Sequence, residues 1–169
     1  MGEVLLAAVI VLLDQLSKVG ARALALRNGS TVLIPGVLGL TCTYNTGASW
    51  GILAGRTTFL LAATALVCAA IFTALLLRRP KDALARLALG MVLGGAVGNA
   101  LDRLSDGYVT DMVETLFVDF PIFNVADCFI TVGAFLFLIS VFLEERRNRK
   151  KPETAGKEAG DGAGTDSGA

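Results

Sequence analysis

The stretch from Thr57 to Leu77 reads TTFLLAATALVCAAIFTALLL and carries no charged residue. Wound as an α-helix it would be about 31 Å long, which matches the hydrocarbon core of a bilayer. The rest of the chain fits this reading. Hydrophobic residues make up 54% of the sequence, charged residues only 18%, and the mean hydropathy is +0.65. That apolar excess would endanger a soluble domain but is ordinary for a bundle of membrane helices.

Three further segments have the same character. Val4–Leu24 reads VLLAAVIVLLDQLSKVGARAL, Leu84–Leu104 contains GMVLGGAVGNALDRL, and Val125–Leu143 is almost wholly apolar. The first and third qualify as spans only if Asp14, Lys18, Asn99, Asp102 and Arg103 face the bundle or its edge. A cleaved signal peptide is the other reading of the first segment, ending at Ala23-Leu24-Ala25. No basic residue precedes the apolar run, however, and Asp14 and Gln15 interrupt it, so a span is expected. Gly90, Gly94, Gly95 and Gly98 allow helices to approach closely in the third span.

Basic residues set the expected orientation. Arg78, Arg79, Lys81 and Arg86 lie between spans two and three, and Arg146, Arg147, Arg149, Lys150 and Lys151 follow span four. Both clusters are expected in the cytoplasm, and an even number of spans then puts the N-terminus there too. Lys18 and Arg22 oppose this rule locally and read as functional or snorkelling residues. Two segments remain outside. Residues 25–56 contain the β-prone runs TVLI and LTCTY broken by Pro35, Gly36 and Gly39, which suggests a small surface sheet. Residues 105–124 suggest a loop, or a short amphipathic or re-entrant piece resting on the membrane. The fold class is therefore an all-α polytopic membrane protein of four helices with a small β-rich outer segment. Residues 1–151 form the membrane domain. Residues 152–169, PETAGKEAGDGAGTDSGA, cannot form a core and read as a disordered cytoplasmic tail.

The chain has no histidine, so the usual imidazole base and commonest metal ligand are missing. Cys42, Cys68 and Cys128 have no paired spacing, which suggests neither a disulfide framework nor a zinc site. A Cys128 nucleophile would lack a histidine base. The acids Asp111 and Asp127 are better placed, since both belong at one membrane depth if the segment between them folds back. Two close carboxylates share a proton, so that one accepts a proton from water while the other donates to a carbonyl. Local spacing leaves other readings open. Asn124-Val-Ala-Asp127 looks like a helix start with Asn124 as N-cap, Asp111 could be an ordinary loop acid, and Glu114 and Asp119 compete as partners. Asp14 and Lys18, four apart, either form an ion pair or line a groove. Arg103, adjacent to Asp102, needs some other partner. Tyr44 and Trp50 flank a turn that they would anchor at the interface.

Five blocks in order carry a resemblance: Asp14-Gln15 with Lys18; Tyr44-Asn45-Thr46-Gly47-Ala48-Ser49-Trp50; Gly94-Gly95-Ala96 through Gly98-Asn99 to Asp102-Arg103; Gly107-Tyr108-Val109-Thr110-Asp111; and Phe123-Asn124-Val125-Ala126-Asp127. Across residues 5–145 the chain resembles the lipoprotein signal peptidases, the bacterial signal peptidase II family. The resemblance implies Asp111 and Asp127 as the catalytic dyad. It implies that Asp14, Lys18, Asn45, Gly47, Ala48, Asn99, Arg103 and Asn124 line or support the site. The implied substrate is a diacylglyceryl-modified prolipoprotein in the bacterial cytoplasmic membrane, cut just before its lipidated cysteine near the outer face. No cofactor, metal or nucleic acid is implied, and a monomer is expected. Met112 after the first acid, Trp50 and Cys128 depart modestly from the family pattern. A small four-span transporter is the rival reading, but it would need its key charge near mid-membrane. A purely structural bundle would not need so many costly polar intrusions.

Overall fold

Hydrophobic length dictates four helices, and the computed structural model, which describes residues 2–48 and 52–149, contains four long enough to cross a bilayer. They are α1 (Gly2–Asn28), α2 (Thr57–Thr73), α3 (Ala83–Ser105) and α4 (Val125–Arg149). α2 runs on into a π-helical turn, Ala74–Arg78, and ends where Arg79 takes a left-handed conformation ahead of Pro80. All four helices start or end within a few residues of the limits expected from hydropathy. α4 overshoots by more than a turn because its charged end, through Arg149, remains helical beyond the apolar stretch. Trp50 lies outside the described residues, as do Lys150, Lys151 and the tail from Pro152.

α3 is the central helix. Half of its most apolar window is buried, against 6% for the span of α2 and its π-helical turn, whose Leu66 and Leu77 point outward into what would be lipid. Polar contacts set the directions of the helices. Glu3 of α1 meets Arg86 of α3 at 2.9 Å at one end, and Lys18 meets Asp102 at 3.0 Å nearer the other, so α1 and α3 run parallel. α4 runs antiparallel to α3. Its Ala126 lies against Gly95, its Gly133 against Ala88, and its Ser140 donates to Asp82, the N-cap of α3, at 2.5 Å. One end of the bundle therefore holds Arg79, Lys81 and Arg86 together with Arg146, Arg147 and Arg149.

Lipid offers no hydrophobic drive between helices, so close packing holds this bundle together and small residues supply it. An added Cβ at Gly94 would sit 2.8 Å from Ile10 Cβ of α1. At Gly95 it would sit 2.5 Å from the Ala126 carbonyl oxygen of α4, and at Gly98 2.6 Å from Asp14 Oδ2. Gly94 and Gly98 thus seat α1, while Gly95 seats α4.

At the other end three antiparallel strands lie in the order β1-β2-β3, with β1 Thr31–Ile34, β2 Leu38–Asn45 and β3 Val109–Thr115. β1 and β2 are the two β-prone runs. β3 arises from the second outer segment, whose hydropathy pattern points to a loop or an interfacial helix. Its mixture of acids and branched residues hides the strand, since Val109, Thr110, Asp111 and Met112 are all buried and no alternation shows. Gly107, at φ 81°, makes the turn from α3 into β3. The chain then loops out and returns. Phe123 and Val113 exchange backbone hydrogen bonds at 2.8 and 3.1 Å, which delivers Asn124 and the start of α4 beside β3.

If Gly95 seats α4, Gly95→Ala is expected to cost about 1–3 kcal/mol through overpacking and to lower the melting midpoint in detergent. Gly20→Ala, where an added Cβ meets nothing within 4 Å, should leave it unchanged. Equal midpoints for the two variants would contradict this packing.

Candidate active site

Strand register and one helix cap create the central constellation. Asp111 pairs with Thr43 across β2–β3, and Asn45 pairs with Val109, so Asn45 and Asp111 share a face. Asn45 Nδ2 donates to Asp111 Oδ2 at 3.0 Å. Asn124 Nδ2 donates to Asp111 Oδ1 at 2.7 Å. Asn124 is also the N-cap of α4. Its Oδ1 accepts from Asp127 N at 2.9 Å while its own N–H donates to Asp127 Oδ2 at 3.2 Å. This reciprocal cap is a capping box with an aspartate in the third helical position. Asp127 Oδ1 accepts from Asn99 Nδ2 at 2.8 Å. One residue, Asn124, therefore touches both carboxylates.

The two acids line a cleft of about 570 Å³ with Asn45, Ala48, Asn99 and Arg103. Its remaining walls are largely apolar and include Leu60 of α2, Ile130 and Val132 of α4 and Phe120 to Phe123 of the returning loop. Gly47 is buried beneath the turn, its N–H bonded to Asn45 Oδ1 at 2.8 Å and its carbonyl accepting from Arg103 Nη2 at 3.0 Å. That is the partner that Arg103 requires. Arg103 Nε is buried and has no hydrogen-bond partner among the described residues.

Below the acids is a buried ionic cluster. Lys18, 2% exposed, places its ammonium 2.7 Å from Asp14 Oδ2, 3.0 Å from Asp102 Oδ2 and 3.1 Å from Asn99 Oδ1. The cluster's carboxylates have further donors. Asp14 Oδ1 accepts the Ala126 N–H at 3.0 Å, Asp102 Oδ2 the Thr110 N–H at 3.0 Å, and Asp102 Oδ1 the Gln15 amide at 2.9 Å. Arg22 completes the frame by bonding Asp106 at 2.7 Å and Thr110 Oγ1 at 2.6 Å.

Of the ten residues that the resemblance implies, Asn45, Ala48, Asn99, Arg103, Asp111 and Asp127 line the cleft, and Gly47, Asn124, Lys18 and Asp14 connect to it through hydrogen bonds or ion pairs. Asp14 and Lys18 form their ion pair and do not line the cleft. Glu114 is three residues from Asp111, an odd spacing that turns it to the other face of β3, and Asp119 is exposed in the loop; neither lines the cleft. Cys128 does line it. Sequence reasoning did not assign Gln15, Asp102 and Thr110 to the site. Their signal was weak, a polar residue next to another already explained, and their bonds run between elements 8 to 87 residues apart.

Burial drives the Asp111 carboxyl up to about 6, and the neighbouring Asp127 charge adds to this against the amides of Asn45 and Asn124. Two carboxyl groups held by one asparagine, one through its side-chain amide and one through its backbone N–H, face a largely apolar cleft at one end of a four-helix membrane bundle, an arrangement suited to acid–base hydrolysis of a peptide in the membrane. A family model described as signal peptidase (SPase) II matches residues 6–143. The chain belongs to the signal peptidase II family and is a multi-pass protein of the bacterial inner membrane. A lipoprotein signal peptidase of Brevibacillus brevis is 44% identical over 145 residues, covering 86% of this chain and 97% of its own. One from Clostridium acetobutylicum is 37% identical over 152 residues, covering 88% and 99%. A bacterial membrane enzyme solved by the in meso method at 2.3 Å resolution is 32% identical, with a TM-score of 0.79 over 90% of this chain and 93% of that one.

The raised Asp111 value carries a stability consequence. A carboxyl raised from 3.8 to about 6 favours the fold while protonated and opposes it as pH rises through 6. Asp111→Asn mimics the protonated form. Each tenfold change in an acidity constant between the folded and unfolded chain is worth about 1.4 kcal/mol. The variant is therefore expected to stabilise the detergent-solubilised protein by about 1–3 kcal/mol at pH 8 and to give no gain at pH 4. A midpoint difference that does not change between pH 4 and pH 8 would contradict it.

Proposed function

We propose that Asp111 and Asp127 are the catalytic dyad with which this peptidase removes the signal peptide of diacylglyceryl-modified prolipoproteins, cutting just before the lipidated cysteine. The observation that carries this reading is Asn124, which holds both carboxylates, one through its side chain and one through its backbone N–H, at one wall of a single cleft.

The chemistry follows from the unequal surroundings of the pair. Asp127 sits in the first turn of α4, where the helix dipole favours negative charge, and accepts two N–H donors. It serves as the base that takes a proton from water. Asp111, on strand β3, carries the shared proton and gives it to the scissile carbonyl oxygen as water attacks the carbon. The tetrahedral intermediate collapses when the leaving amine takes a proton from the dyad. Arg103 lines the same cleft, where its Nη2 holds the Gly47 carbonyl and so fixes the turn beside the acids.

The cleft also suits an amphiphile. Leu60 and Thr64 of α2 and Ile130, Thr131 and Val132 of α4 flank it, so that a signal helix enters between them from the bilayer while the diacylglyceryl chains stay in lipid. The end that carries Arg79, Lys81, Arg86, Arg146, Arg147 and Arg149 faces the cytoplasm by the positive-inside rule. Both termini then lie inside and the dyad near the outer face.

The test is cleavage of a diacylglyceryl-modified prolipoprotein in membranes. Asp111→Asn and Asp127→Asn should each lower kcat by roughly 10²–10⁴-fold, the usual contribution of a positioned acid or base, with the folded protein still in the membrane. Normal cleavage by either variant removes it from the dyad. A reporter fused after Arg149 should be active only in the cytoplasm.

A further inference from the structure

Asn99 presents a puzzle that its bonds resolve. An asparagine amide has a donor end and an acceptor end of almost the same shape, so either could face Asp127. Only the donor end serves an ionised carboxylate. Around Asn99, two donors decide the matter, and only one of them is an ammonium. Lys18 Nζ, which carries donors alone, lies 3.1 Å from Asn99 Oδ1, and Asn124 Nδ2 lies at the same distance from that oxygen. With its oxygen claimed by an ammonium, Asn99 can offer Asp127 only its NH₂, and it does so at 2.8 Å.

We propose that Lys18 is a positioning residue for the reaction: its buried ammonium locks the Asn99 amide so that it donates to Asp127 and holds that carboxylate ready to act as the base. This rests on the dyad reading above. Lys18 contacts neither aspartate of the dyad and does not line the cleft; its bonded route to Asp127 runs through Asn99, while its charge reaches both acids only at longer range. Its charge is kept in place by Asp14 and Asp102, both nearly inaccessible. These same carboxylates hold α4 through the Ala126 N–H and β3 through the Thr110 N–H. A purely structural Lys18 would act only through those ties.

The two roles separate in kinetics on purified enzyme with a diacylglyceryl-modified prolipoprotein. Removing Lys18 alone strands two buried carboxylates, so the informative variant is Lys18→Met combined with Asp14→Asn, which keeps the net charge of the cluster. Against Asp14→Asn alone, the double variant is expected to lose about 100-fold in kcat while KM stays within about threefold, and restoring a cation in Lys18→Arg/Asp14→Asn should recover part of the loss. Equal kcat in the double and single variants overturns the proposal, as does a loss confined to KM or to the amount of folded protein. Should the double variant fail to assemble, Asn99→Asp takes its place. It is isosteric, still accepts from Lys18 and, when ionised, cannot donate, so at a pH where it is ionised a similar loss in kcat is expected and a normal kcat overturns the inference. Asp111→Asn and Asp127→Asn run alongside. If they cleave, the dyad reading fails; if they are inert while the Lys18 and Asn99 variants are normal, only this inference fails.

Discussion

A lysine ammonium sits inside this membrane bundle with two carboxylates within 3.0 Å, and most of the architecture answers to it. An unpaired charge is strongly unfavourable at that depth, so α1, which carries Lys18, has to stay against α3, which carries Asp102. The glycines at 94 and 98 on α3 make that approach possible, because any Cβ there would strike Ala7, Ile10 or Asp14. Charge pairing and close packing thus specify the same helix neighbour and the same register. Agreement between two independent constraints is what makes a single arrangement win.

From this cluster the order spreads upward without a gap. Asp14 caps a free N–H in the first turn of α4, and Asp102 takes the N–H of Thr110 just before Asp111. Both elements that bear the proposed dyad are therefore tied to the same ion cluster, one from each of its acids. The loop between them closes separately, through the backbone exchange of Phe123 with Val113. Asp111 gains a strand's rigidity and Asp127 a helix cap's, although neither lies deep in the bundle. Rigid supports on both sides suit acid–base chemistry, which suffers from small displacements.

The helices are legible in the sequence because burial in lipid writes itself as length: an uninterrupted apolar stretch such as 57–77 has no other use. The capping box is legible too, since Asn124 and Asp127 stand in the spacing it needs. β3 is not. A strand covered on both faces loses its alternation, and Val109 to Met112 show none. The site residues divide along the same line. Asp111 and Asp127 emerge only as two of several acids until motif order singles them out, and the face of β3 then turns Glu114 away. Gln15, Asp102 and Thr110 stay hidden because their partners are distant in sequence, and no local spacing records a bond between residues 15 and 102.

The chain contains no histidine, and the architecture accounts for how acid–base work proceeds without one. An imidazole would titrate near neutrality unaided. Carboxyl groups must be moved there, and burial does this only if their charge is not fully compensated. The arrangement meets that condition by keeping its cations off the dyad. Lys18 is held by Asp14 and Asp102, and Arg103 is bonded to the Gly47 carbonyl, so the acids receive amides in place of ion pairs. Amide donors fix a carboxylate's direction with less stabilisation of its charge than a contacting ammonium would bring. Asp111 can then remain near 6 while its oxygens stay aimed. A direct salt bridge to either acid would give more rigidity and would remove the shared proton that the proposed mechanism uses.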